Sequence, residues 1–186
     1  MKRQIRQNVF ETNSSSMHSL VIKKQDEYFT PEEIANEVYI YKDGTWAISF
    51  EEDLDFGRYP FQMLSKFTDK VKYTIASMCV WKSKKEKERI FKDIENIVKE
   101  YVPNIKEVKL PTSYDYETKE DKPYYGYVDE DILTGFLEKN KIDLKEFLTN
   151  KKYVVICDGD EYCTWIDIKK SGLIALDEIE YEYGNE

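Results

Sequence analysis

Cysteine is scarce in this chain, with only Cys79, Cys157 and Cys163. An odd count over 186 residues is no disulfide framework, and the absence of a CxxC pair removes the usual zinc motif. Long apolar runs are also missing: Tyr153-Val154-Val155-Ile156-Cys157 is among the longest, far too short to span a bilayer. No apolar stretch follows the basic opening Met1-Lys2-Arg3-Gln4-Ile5-Arg6, so it does not read as a signal peptide. Reduced thiols and the absence of targeting signals together lead to the expectation of a cytoplasmic protein. The seven glycines build no Gly-rich loop, no GxGxxG and no Walker-type lysine motif, which excludes the standard nucleotide sites. Basic excess is lacking too. With 28 basic and 37 acidic side chains the net charge is −9, opposite to what a general nucleic-acid binder needs.

Aromatic and aliphatic residues are present in ordinary supply. Hydrophobic residues make up 41% and aromatics 15%, so the chain can order a core despite its mean hydropathy of −0.68. The length suits a single domain over 1–186.

Several elements announce themselves. Residues 17–24 read as a strand centred on Leu20, Val21 and Ile22. Thr30, Pro31 and Glu33 form a helix start with a capping box. Val38–Tyr41 and Thr45–Ile48 read as a hairpin about Asp43-Gly44. A second capping box, Ser83 with Glu86, opens a long helix whose Ile90, Phe91, Ile94, Ile97, Val98 and Tyr101 share one face. Ile105–Leu110 reads as a strand. Residues 112–127 show no period and read as a long Tyr-rich surface loop. Asp129 and Asp143 are expected to cap two further helices. Tyr153–Cys157 with Tyr162–Ile168 reads as a hairpin around Asp158-Gly159-Asp160, and Ile179–Tyr183 as a last strand. Strands near both ends of a helical middle predict an α+β fold, a mostly antiparallel sheet with helices packed on one face.

Charge is segregated. Residues 111–186 hold 19 acids and 9 bases, a net −10, and residues 1–110 hold 18 acids and 19 bases, a net +1. No base follows Lys170, while Asp177, Glu178, Glu180 and Glu182 crowd the acidic C-terminal part.

The segment Phe10-Glu11-Thr12-Asn13-Ser14-Ser15-Ser16-Met17-His18-Ser19 carries the one histidine among amide and hydroxyl side chains. FETNSSS, one residue, then HS resembles the opening of uncharacterised proteins encoded by phages and mobile elements of Gram-positive bacteria. The resemblance covers about a dozen residues and brings no established activity. It implies a setting among accessory proteins, some of which counter host defence. Chemically the segment has two readings. In one, Asn13, Ser14, Ser15, Ser16 and Ser19 wrap a phosphate, with His18 as acid or base and Glu11 orienting it. In the other, the run is a turn satisfying its own backbone, and His18 is a hydrogen-bonded side chain at a strand start.

Other features weigh toward plain structure. Asp158 and Asp160 flank a glycine, which is ordinary turn chemistry and lacks EF-hand spacing, so no metal and no cofactor is expected. Lys82, Lys84, Lys85, Lys87 and Arg89 interleave with Glu86 and Glu88, the pattern of a solvated helix face and only a weak signal for contacting RNA or DNA backbone. Tyr114, Tyr116, Tyr124, Tyr125 and Tyr127 have the composition that recognition surfaces favour.

The resulting expectation is a binding protein, not an enzyme. The tyrosine loop (Tyr114, Tyr116, Tyr124, Tyr125) and the acids Asp177, Glu178, Glu180 and Glu182 would dock on a basic surface of a nucleic-acid-processing protein. With the mobile-element resemblance, the concrete form is an anti-CRISPR-like inhibitor of a defence nuclease. Direct nucleic-acid binding is not expected, nor is a membrane. The alternative is a small enzyme or ligand-binding protein acting on a phosphorylated or nucleotide substrate through the TNSSSMHS segment.

Overall fold

A computed structural model describes residues 17–24, 26–56, 62–102, 104–128, 131–158 and 179–184, the last as backbone alone. In chain order the elements are β1 (Met17–Lys23), α1 (Pro31–Glu37), β2 (Thr45–Ala47), β3 (Gln62–Leu64), α2 (Phe67–Cys79), α3 (Lys84–Tyr101), β4 (Glu107–Lys109), β5 (Thr112–Asp115), β6 (Glu120–Pro123), α4 (Ile132–Asn140), α5 (Leu144–Thr149), β7 (Tyr153–Asp158) and β8 (Ile179–Gly184). A 3-10 turn covers Glu51–Leu54.

The fold is α+β. Its main sheet is antiparallel in the order β3-β7-β1-β8, so the first and last strands lie side by side. Register places Leu64 opposite Val155 and Val155 opposite Leu20, and these three side chains are buried in one hydrophobic cluster with α2 and α4. α2 is buried on most of its circumference, polar Thr68, Lys70, Thr74 and Ser77 included. Phe67, Val71, Tyr73, Ile75 and Ala76 are all fully buried. α3 lays Ile94 and Val98 on this core, with Ile90, Phe91, Ile97 and Tyr101 at its margin, the face its spacing predicts.

Local capping signals are obeyed. Thr30 N–H donates to Glu33 Oε2 at 2.8 Å and Glu33 N–H to Thr30 Oγ1 at 3.2 Å, closing the box at α1. Ser83 N–H donates to Glu86 Oε2 at 2.9 Å at the start of α3. Asp143 accepts from Glu146 N–H at 2.7 Å. α4 differs by two residues from expectation: its cap is Asp131, which accepts from Thr134 N–H at 3.1 Å, in place of Asp129.

Two expectations fail on pairing. Asp43-Gly44 does turn the chain, with Gly44 at φ +89° and Tyr41 N–H bonded to Thr45 O at 2.8 Å. Val38–Tyr41, however, forms no strand, because β2 pairs in parallel with β4, sixty residues on, through Lys106 N–H to Gly44 O and Ile48 N–H to Lys109 O. The second failure is residues 112–127, which are not a structureless loop: β5 and β6 form an antiparallel hairpin. Asp115 starts its turn by accepting from Glu117 N–H at 2.8 Å and Thr118 N–H at 3.1 Å, and Lys119 takes the left-handed conformation at φ +59°. The partner strand expected over 162–168, with Cys163, lies outside the described residues.

Inside this core sits a lysine. Lys70 is fully buried on α2, and its Nζ donates to Phe147 O and Asn150 O, both at 2.8 Å. These are carbonyls at the C-terminal end of α5, which have no partner within that helix. Phe29 and Phe147 rings lie 5.0 and 5.5 Å from the ammonium. Burial brings the Lys70 pKa down from 10.5 to about 7, against the pull of Glu37 and Glu146. A lysine with a lowered folded-state pKa binds fewer protons folded than unfolded between those two values, so stability rises with pH across that window. Chemical denaturation at pH 7, 7.75 and 8.5 will therefore show stability climbing by about 1 kcal/mol per pH unit. Lys70→Met will be flatter by that amount. Equal slopes in the two proteins would show that the buried amine keeps its proton throughout.

Candidate functional site

His18 enters β1 opposite Cys157 of β7 and is only 3% exposed. Its Nε2 lies 3.1 Å from Phe56 O, a group that can only accept, so Nε2 carries a proton. Nδ1 lies 3.2 Å from the Tyr73 hydroxyl, and the two rings meet edge-on with centroids 5.5 Å apart. In the neutral ring Nδ1 accepts from that hydroxyl. Burial holds Tyr73 well above the ordinary phenol pKa, so it stays a donor. Tyr73 also packs edge-on against Phe56 at 5.3 Å.

The shelf carrying Phe56 is built by backbone. Phe56 N–H donates to Tyr127 O and Tyr127 N–H to Leu54 O, each at 3.0 Å. Gly126 makes this approach possible: its φ is +93°, and a Cβ there would stand 2.5 Å from Leu54 O. Beyond Tyr73, the Ser77 hydroxyl donates to Asp131 Oδ1 at 3.0 Å, in the same carboxylate that caps α4. The histidine is thus held between β1, α2 and the 54–56 segment with both ring nitrogens engaged. This geometry is that of a structural histidine. Its nitrogens are committed to Phe56 and Tyr73.

Ser19 lies beside it in β1, with Ile156 on one side and Gly184 on the other by register. Glu11, Asn13, Ser14, Ser15 and Ser16 lie outside the described residues. So do Asp160, Asp177 and Glu178. Glu180 and Glu182 belong to β8, where Glu182 is the register partner of Val21. Cys79 and Cys157 are buried free thiols, and burial pushes Cys79 up to about 12, far from a reactive thiolate.

The tyrosines separate into two groups. Facing pairs in the β5–β6 hairpin put Ser113 with Lys122 on one side and Tyr114 with Asp121 on the other. Asp115 and Lys122 form an ion pair on the inner side, and Lys122 holds the Asp115 carboxyl down at about 2. Tyr114 therefore faces out, 49% exposed, and Tyr116 in the turn is 86% exposed. Their rings contact edge-on at 5.0 Å. Tyr124 and Tyr125 instead pack against the core margin, Tyr125 edge-on to Phe91 at 6.2 Å with Lys87 Nζ 5.8 Å from its ring. Tyr127, 39% exposed, serves the Phe56 shelf.

An open groove of about 660 Å³ runs between α3 and β4. Its most buried charge is Glu95, a residue nothing in the apolar pattern marks. Burial alone would raise the Glu95 pKa, but Lys92 at 2.6 Å, Lys99 at 2.9 Å and the Val108 N–H at 3.1 Å lower it. The carboxylate ties α3 to β4 and is fully engaged in doing so. A smaller hollow of about 310 Å³ lies between the start of α3 and β6, lined by Lys82, Lys84, Lys87, Lys122, Pro123 and Tyr125. Among the described residues no three His, Cys, Asp or Glu side chains gather as a metal site, and no helix is long and apolar enough to cross a membrane.

Comparison with known proteins adds no relative: no family model, curated protein or solved structure matches this chain. The site has to be read from its own geometry.

If His18 is a structural member, His18→Ala leaves the Phe56 carbonyl unpaired beside a cavity and takes one of its partners from the Tyr73 hydroxyl, which keeps Ser77. A loss of about 2–4 kcal/mol is expected, which thermal melting reads as a drop of roughly 5–15 °C. A variant melting like the parent would return His18 to the list of functional side chains.

Proposed function

We propose that this chain is a protein-binding accessory protein whose docking element is the β5–β6 hairpin. The observation that carries the reading is the outward pair Tyr114 and Tyr116, 49% and 86% exposed and stacked edge-on at a hairpin tip. Ring contact removes only part of the apolar area of these side chains from water, and a partner that covers the rest gains it from rings with few rotors to freeze. Tyr39 and Tyr41 form a second exposed pair, 73% and 47% exposed with rings 5.1 Å apart. Acidic residues supply steering: Asp121 faces out beside Tyr114, and Asp177, Glu178, Glu180 and Glu182 add charge of the same sign.

In concrete form, the partner presents a basic groove of the kind that receives phosphates, as in a nucleic-acid-processing defence nuclease, and the chain acts as an anti-CRISPR-like inhibitor in a phage or mobile-element setting. The alternative, chemistry on a phosphorylated substrate by the TNSSSMHS segment, is less well supported, because His18 is buried with both nitrogens engaged.

Affinity capture from nuclease-treated bacterial lysate at low and moderate salt tests the reading. One stoichiometric protein is expected, weaker at the higher salt, and lost with Tyr114→Ala plus Tyr116→Ala. Neutralising Asp177, Glu178, Glu180 and Glu182 to their amides will slow its association. Capture that survives both sets of changes would sink the docking surface.

A further inference from the structure

Trp81 is placed where folding gains nothing from it. It follows the end of α2, whose cap is Val80, and takes the left-handed conformation at φ +57°. Glycine is the usual residue at such a position because a side chain there strains the backbone. The ring does not recover that cost by packing, since Trp81 is 81% exposed. A left-handed backbone carrying a large ring exposed to water is a cost that function repays more readily than stability does.

The next residue, Lys82, lines the 310 Å³ hollow together with Lys84, Lys87 and Lys122. Among the described residues the lining holds four ammonium groups and no carboxylate, with Tyr125 at its wall. Glu86 closes the α3 capping box with Ser83, while Lys122 pairs with Asp115 and Lys84 lies 4.0 Å from Glu88, surface pairs that a phosphate would have to replace. Over residues 81–89 the chain has five bases and two acids, a local net of +3 in a molecule of −9. The global charge argues against a general nucleic-acid binder, and this patch is the local exception.

An exposed indole beside a lysine-lined hollow matches the two needs of an unpaired nucleotide chain, a flat face for a base and cations for the backbone. We propose that this surface binds single-stranded nucleic acid, with a base stacked on Trp81 and phosphates held by Lys82, Lys84, Lys87 and Lys122. A duplex hides its base faces and would leave the indole unused. The inference goes beyond the tyrosine docking element and does not depend on it.

The test is fluorescence anisotropy of a labelled single strand of about ten nucleotides, titrated with the full chain. Affinity is expected to fall roughly fourfold to sevenfold per doubling of salt, as three or four phosphate contacts on a single strand require. A duplex of the same length should bind more weakly. Trp81→Gly should weaken single-strand binding about tenfold or more while leaving the melting temperature equal or higher, because the strain is released. Trp81→Phe should keep much of the affinity, and Lys82→Glu with Lys84→Glu should abolish it. No binding at about 50 mM salt, equal affinity for duplex, or unchanged affinity in Trp81→Gly would each overturn the proposal.

Discussion

A buried ammonium needs partners on every side it presents, and in this protein the Lys70 Nζ finds them at the end of α5. The two carbonyls it reaches, Phe147 O and Asn150 O, fix where α2 passes α5. Asn150 extends the constraint outward. It is fully buried, its Nδ2 donates to Asp26 Oδ1 at 2.5 Å and Glu146 Oε1 at 3.2 Å, and its Oδ1 accepts from Lys152 N–H at 3.0 Å. Glu146 in turn accepts from Tyr28 and Tyr153. One knot therefore joins the approach to α1, the end of α5 and the start of β7 around a single point of α2. Such a knot is costly to break, because each member left unpaired in the interior loses a full hydrogen bond.

From that anchor, α2 determines what the next turn can do. Three residues beyond Lys70 comes Tyr73, whose hydroxyl meets His18, and four further comes Ser77, which meets Asp131. The interior polar groups thus form a sequence of ties from one end of the helix to the other: α5, then β1, then the cap of α4. Thr74 is the exception, a buried hydroxyl with no partner among the described residues. Satisfied groups of this kind give the core one arrangement, since sliding α2 by a turn would orphan several at once.

The surface follows a different logic. Hairpin β5–β6 commits its inward side to the Asp115–Lys122 pair, and strand alternation then pushes Tyr114 outward. The same Lys122 also borders the lysine-lined hollow, so one hairpin separates an aromatic face from a basic one. Segregated features of this sort, unlike scattered apolar residues, are what binding surfaces are made of.

How much of this was legible beforehand depends on the range of the interaction. By itself the sequence determined the elements whose causes are local: the boxes at Thr30 and Ser83, the cap at Asp143, the apolar face of α3, the β1 and β7 strands, and the α+β class. These signals act across three or four residues, within reach of one side chain or one helical turn. The tertiary structure alone decided the parallel pairing of β2 with β4, the use of Lys70 as a cap for a distant helix, and the burial of His18 between Phe56 and Tyr73. Each of those depends on a partner from about forty to eighty residues away, and no local pattern records which backbone group will arrive. Even the Tyr-rich segment, whose composition was plain, showed which rings face solvent only once Asp115 had turned the chain and the pleat had divided them between core and surface.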